Sequence, residues 1–542
     1  MDTVWPATGA ASIDSASVQR RDLARDIVLG GGGSTSENLA ATVWRVAAAR
    51  REHPAILSSG KPITYGWIRN AAARIRDYLL RRPDFRPGAL VVLALENSPE
   101  YVAAFYGVLL ADGVVVPVSP RVERERWQRI YESCEPTVVL SRKADLPAEM
   151  FRSTDCRSLL PRDGEDVHEE PDGDDAPGAG VARGGRDLAV VMFTSGSTGA
   201  PKGVMLSHRN LLSNTRSILG YLPITADDRA LMVLPFYHAF GNSVLQTHLL
   251  AGATLVLNSS LAIPATVVQA LREHRITSLS GVPEVFTLLL RYATWDRGEM
   301  PDLRYMAVAG GALRPDLAEQ MARTIAPAEF YVMYGQSEAT ARLSFLPPDV
   351  RQARCGSIGK AIPGVGLRVV DQQGASVRPG QVGMLQARGD NIMLGYWRDP
   401  EGTASVLSDG WLSCGDLATV DEDGFIYLRG RASHLVKLQG HRVHPAEIED
   451  FVAARFPGSQ AVVLPYVADE FTRLALFLAP SPGVQWSARD VRQACVRELP
   501  HYKIPHRIEI LDCLPLNGAL KVDRGELSRR LGSSPDRREN GS

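Results

Sequence analysis

The run Thr194-Ser195-Gly196-Ser197-Thr198-Gly199-Ala200-Pro201-Lys202-Gly203 places small hydroxyl residues, glycines and one lysine directly after the apolar stretch 188–193. Glycines let backbone N–H groups approach phosphate oxygens, hydroxyls donate hydrogen bonds, and Lys202 adds a compact positive charge. The run therefore suits a polyphosphate. It is not the P-loop of the NTPases, which sets Gly-Lys-Ser/Thr in sequence, because Pro201 precedes the lysine here. Taken alone, such a decamer is as readily a flexible surface turn. Three later segments tip the balance: Tyr334-Gly335-Gln336-Ser337-Glu338, Cys414-Gly415-Asp416-Leu417 followed by Gly430-Arg431, and the turn around Lys521.

Alternating strand and helix signals must position these residues. Apolar runs predict strands over 90–95, 114–118 and 137–140, and Ser98-Pro99 opens a helix as N-cap and first-turn proline. After the glycine-rich run the alternation resumes, with strands over 230–234, 254–257, 278–279, 305–309 and 330–333 and helices over 264–274 and 283–290. Regular βα alternation implies mostly parallel, helix-covered sheets, with ligands gathered beyond the carboxyl ends of the strands. From about residue 367 the pattern becomes antiparallel, with a hairpin around Asp423-Gly424. The fold class expected is α/β: a large N-terminal domain of helix-covered sheets with a smaller β subdomain, then a small mobile α+β domain. The boundaries expected are a disordered leader over 1–36, the large domain over 37–430, a hinge at 431–433, the small domain over 434–530 and a disordered tail over 531–542.

A chain of 542 residues exceeds one compact core, and its 45% hydrophobic and 22% charged composition suits a globular protein. A net charge of −1 gives no general electrostatic reason to bind nucleic acid or an anionic membrane. No apolar stretch is long enough to span a bilayer, and the first 36 residues lack the apolar core of a signal peptide. The six cysteines are scattered without a CxxC pair, which argues for reduced thiols, a cytoplasmic location and no zinc site.

Together, in this order and spacing, the motifs resemble the adenylate-forming (AMP-binding) superfamily of acyl-CoA synthetases, free-standing adenylation domains and luciferases, over roughly residues 37–530. The resemblance implies ATP, Mg²⁺ and a thiol, either CoA or the phosphopantetheine of a carrier protein, as reactants with a carboxylic acid. It implies nucleotide contacts from Thr194, Ser195, Gly196, Ser197, Thr198, Gly199, Lys202, Gly311, Tyr334, Gly335 and Ser337. Tyr334 would lie against adenine. Asp416 would take both ribose hydroxyls, with Arg431 assisting, and Glu338 would hold Mg²⁺. Lys521 would contact the substrate carboxylate and the α-phosphate; with Lys202 and His238 it forms the implied catalytic set. The hinge falls on Ser433, where the family usually has Asp or Lys, and Lys437 and Gly440 would line the thiol tunnel. Leu520 and Asn517 depart from the glycine and threonine usual beside the lysine, and His444 from a common glutamate.

The acyl pocket implied is built from His238, Ala239, Phe240, Gly281, Val282, Gly310, Ala312 and Met333. Relatives that activate α-amino acids place an aspartate at the position of Ala239. Burying an ammonium without a carboxylate is costly, so an acid lacking an α-amino group is expected. Val282, Leu313 and Met333 make the lining apolar, which favours a fatty or aryl acid. The leading expectation is an ATP-dependent, AMP-forming acid–thiol ligase using CoA. Its rivals are transfer to a separate carrier protein, a luciferase-like oxygenase, and a non-catalytic acyl- or nucleotide-binding relative.

Overall fold

The computed structural model describes residues 28, 38–142, 153–161, 184–194, 201–257, 264–293, 295, 300–434, 436–438, 441–468, 471–480, 484–517 and 521–532, without the side chains of 434, 437 and 442. Among these, nine strands form one sheet in the order Lys360–Ala361, Ser344–Leu346, Glu329–Tyr334, Tyr305–Val308, Ser278–Gly281, Arg229–Leu231, Thr254–Val256, Pro54–Ser58 and Lys61–Thr64. Its six central strands run parallel. A seven-stranded sheet has Leu90–Ala94, Val114–Val118 and Val138–Ser141 as its parallel centre. Near one edge it carries Leu188–Thr194 paired antiparallel with Lys202–Ser207.

The helix Pro99–Leu110 lies in the interior because its apolar residues leave no polar face. All but the first two residues of Pro99–Leu110 are buried. The tyrosines this helix buries send their hydroxyls to acceptors, Tyr101 to the Phe236 carbonyl at 3.2 Å and Tyr106 to Gln246 Oε1 at 2.7 Å. Ser98 caps its first turn as its sequence predicts, accepting from the Tyr101 amide at 3.2 Å.

A five-stranded antiparallel sheet follows, built on Val365–Val370, Gly383–Gly389, Trp411–Val420 and Ile426–Arg431 with the short Leu407–Ser408. The last unit has three strands, Gln460–Ala468, Phe471–Ala479 and Arg507–Ile510, covered by Pro445–Arg455, Ala488–Glu498 and Arg524–Gly532. It has its own apolar core, including Val443, Ile448, Val452, Leu476 and Cys495. The mixed α/β architecture, a large N-terminal domain and a smaller C-terminal part, is the one expected.

Lys202 begins a strand directly opposite Thr194, so the two ends of the glycine-rich run pair antiparallel. Arg431, the first residue of the expected hinge, ends a strand and pairs with Asp416. The last helix continues to Gly532, past the expected domain end. Val28 falls in the span expected to be a disordered leader, yet it is 0% exposed and its carbonyl accepts from Arg216 Nε at 2.7 Å. The rest of that span lies outside the described residues, as do 533–542.

Candidate active site

Three sheets meet where the motif residues gather. The nine-stranded sheet delivers Tyr334 at the end of its strand. Gly335 then turns the chain so sharply that a Cβ there would lie 1.8 Å from the Ala341 carbonyl oxygen, so only glycine fits. The chain folds back through Ser337–Ala339, a single 3₁₀ turn, with Thr340 and Ala341 both at positive φ. The five-stranded sheet delivers Asp416 and Arg431 opposite each other on paired strands.

The Tyr334 hydroxyl donates to Asp416 Oδ2 at 2.5 Å, and Arg431 Nε lies 2.8 Å from Asp416 Oδ1. Both carboxylate oxygens are thus engaged, as the 6% exposure of Asp416 demands. Burial still raises the Asp416 carboxyl above the usual range, opposed by Arg431 and the Tyr334 hydroxyl. Burial, with Cys414 and Asp416 adding to it, raises the Tyr334 phenol well above its ordinary value, so it is a donor at neutral pH.

The seven-stranded sheet delivers Lys202. Its Nζ lies 4.6 Å from the centre of the Tyr396 ring and 4.0 Å from Asp399 Oδ2. The Tyr396 hydroxyl donates to Glu338 Oε1 at 2.9 Å, and the Met393 amide donates to the Glu338 carbonyl at 2.9 Å. The segment 393–399 therefore ties the Thr194/Lys202 hairpin to Glu338. Ser195, Gly196, Ser197, Thr198 and Gly199 lie outside the described residues.

The small unit contributes Lys521. A Cβ on Gly310 (φ +87°) would lie 3.5 Å from Lys521 Cε and 3.6 Å from Nζ, so the bare glycine makes room for the lysine. Burial lowers the Lys521 ammonium from its ordinary value; Glu284 opposes that and Arg431 adds to it. Glu284, in the first turn of Pro283–Tyr292, borders the neighbouring Gly311, whose Cβ would lie 3.6 Å from Glu284 Oε2. That oxygen is shielded from solvent and has no hydrogen-bond partner, and burial raises the carboxyl while Lys521 opposes the shift.

His238 precedes the helix Ala239–Ala251 with extended backbone, its ring 4.8 Å from that of Tyr237. Phe240 lies on that helix's first turn, with the guanidinium carbon of Arg342 3.9 Å above its ring. Met333 Sδ accepts from the Tyr221 hydroxyl at 3.2 Å. Val282 is buried and Gly281 packs against Val285 and Phe286, whereas Gly311 and Ala312 are exposed.

Ser433 is exposed in the turn Ala432–His434. Lys437 pairs through its backbone with Arg442, and Gly440 lies outside the described residues. His444 is buried with neither ring nitrogen paired, its Nδ1 3.3 Å from where a Gly430 Cβ would be.

Sequence reasoning missed Tyr396, Asp399, Glu284 and Arg342. Leu394-Gly395-Tyr396-Trp397 was a readable turn signal; nothing local marks the other three. Among the described residues no cluster of three metal-binding side chains occurs, and no helix is long and apolar enough to cross a membrane.

Residues 43–397 match the family model described as AMP-binding enzyme. A feruloyl-CoA synthase of an Amycolatopsis species is 30% identical over 498 residues, covering 90% of this chain and 98% of that protein. A long-chain-fatty-acid–CoA ligase of Yersinia pestis is 28% identical, covering 88% and 91%. ATP-bound MatB from Rhodopseudomonas palustris superposes with a TM-score of 0.77 at 26% identity, over 92% of this chain and 99% of that one. With a shared motif order, fold and near full-length coverage, this chain belongs to the AMP-binding enzyme family of the adenylate-forming superfamily.

Proposed function

We propose that this cleft condenses a carboxylic acid lacking an α-amino group with ATP, releasing pyrophosphate, and then passes the acyl group from AMP to the sulfur of CoA. The chain is an AMP-forming acid–CoA ligase; the residue roles and the acid are our reading. The observation that carries it is Lys521, brought from the small unit to Gly310 on the large one.

In the first step a carboxylate oxygen bonds to the α-phosphorus as the bond to pyrophosphate breaks. Two anions must approach, so cations aimed at the reacting oxygens lower the barrier. Lys521 is positioned for that role and Lys202 for the outer phosphates. Asp416 can accept from both ribose hydroxyls by exchanging its Tyr334 and Arg431 contacts. Glu338, with one oxygen facing Tyr396, is the residue that would hold Mg²⁺, an ion that takes few protein ligands when phosphates supply the rest; bound there, it neutralises phosphate charge. In the second step a thiolate attacks the acyl carbon and AMP leaves with the bonding electrons.

Free thiols throughout, six of six, suit a reducing cytoplasm. The test is pyrophosphate release with a panel of acids, run with and without CoA. Acid-dependent release and a CoA thioester are expected. Strong exchange with α-amino acids alone contradicts the substrate reading, and a thioester on a carrier protein but never on CoA contradicts the acceptor.

A further inference from the structure

Partly buried guanidinium groups elsewhere in this protein meet acids: Arg351 lies 2.6 Å from Glu319 and Arg142 3.0 Å from Glu100. Arg342 breaks that rule. It is 2% exposed, yet it faces no acid among the described residues: its Nη1 makes a long contact, 3.4 Å, to the adjacent Ala341 carbonyl, the neutral Tyr221 hydroxyl accepts from it, and its Nε has no partner. The charged or titratable groups that face it are the phenols of Tyr221 and Tyr305. Burial lifts the Tyr221 phenol to about 12, so it offers no anion at neutral pH.

Arg342 adjoins the proposed pocket directly at Phe240 and through Tyr221 at Met333. Its guanidinium stacks on Phe240, and its neighbour Tyr221 donates to Met333. A guanidinium stays charged, and leaving one buried without an anion is costly. Stacking on one ring recovers only part of that cost. Its unpaired Nε belongs to a planar fork whose geometry matches a carboxylate.

We propose that Arg342 determines specificity by pairing with a second carboxylate at the far end of the acid, so that the substrate is a dicarboxylic acid activated at one end. This rests on Phe240 and Met333 forming the acyl pocket. It narrows the apolar lining read from the sequence: the walls are apolar, but the far end is cationic.

The test compares pyrophosphate release with a straight-chain and an aromatic dicarboxylic acid, the monoamide of each, and the matching acid lacking the second group. The wild type should favour dicarboxylic acid over monoamide by about a hundredfold in kcat/KM, mainly through KM. Arg342→Met should bring that ratio close to one, while Arg342→Lys, which keeps charge but loses the fork, should retain part of it. Equal or better turnover of the monoamides by the wild type overturns the inference and leaves acid activation standing. So does an Arg342→Met that loses every acid in the same proportion. If no acid releases pyrophosphate from folded wild type, acid activation itself fails and this inference falls with it. Should Arg342→Met not fold, the wild-type ratio and Arg342→Lys decide.

Discussion

The two halves of the cleft differ in how they treat charge. On the nucleotide side, Asp416 is held by Tyr334 and Arg431, Glu338 by Tyr396, and Lys202 sits over Tyr396 near Asp399. On the acyl side, Arg342 Nε and Glu284 Oε2 are buried without hydrogen bonds. A site whose ligand is the same in every turnover can be pre-organised by internal partners that the ligand replaces one for one. An unpaired buried charge instead makes binding energy depend on what the ligand brings, which gives discrimination.

If the halves are divided in this way, Lys521→Ala should lower adenylate formation by about a thousandfold, as expected for loss of a charge acting on the transition state. Thioester formation from supplied acyl-AMP should persist. Equal loss in both half-reactions would erase the division. Asp416→Ala should raise the KM for ATP by about ten- to a hundredfold through lost charge-assisted hydrogen bonds, with a smaller change for the acid. An effect falling mainly on the acid's KM would break the comparison.

Gly335→Ala should destabilise the fold by about 3 kcal/mol or more, because its Cβ would overlap the Ala341 carbonyl. A thermal melt checks this, and an unchanged melting temperature would deny the rigid turn behind Tyr334. The smallest effect concerns Glu284, which faces Lys521. Its charge supports the protonated lysine, against the burial that lowers the ammonium. Removing that charge in Glu284→Gln should lower the lysine further, so the alkaline limb of the adenylation pH profile should move to lower pH. A profile superimposable on wild type would show that Glu284 does not support Lys521.

Much of the fold was legible because its strands are buried on both faces and read as continuous apolar runs. Val114–Val118 and Tyr305–Val308 are examples, every residue of each buried. Proline and capping residues marked the helix beginning at Pro99 just as plainly. The hairpin Thr194/Lys202 was not legible, since the short run after Lys202 carries no signal for its direction. The nucleotide residues were found through their motifs. Tyr396, Glu284 and Arg342 stand alone in the sequence, and their meaning comes from neighbours far along the chain.

The sequence by itself determined the family, the layered α/β fold and the strings that meet phosphate and ribose. Those tasks need contiguous glycines, hydroxyls and a carboxylate, and contiguous residues form local patterns. Tertiary structure alone decided that Arg342 is buried over Phe240 without an acid and that Glu284 faces Lys521. Burial and the pairing of charges depend on residues brought together across the chain, and no short stretch of sequence contains them.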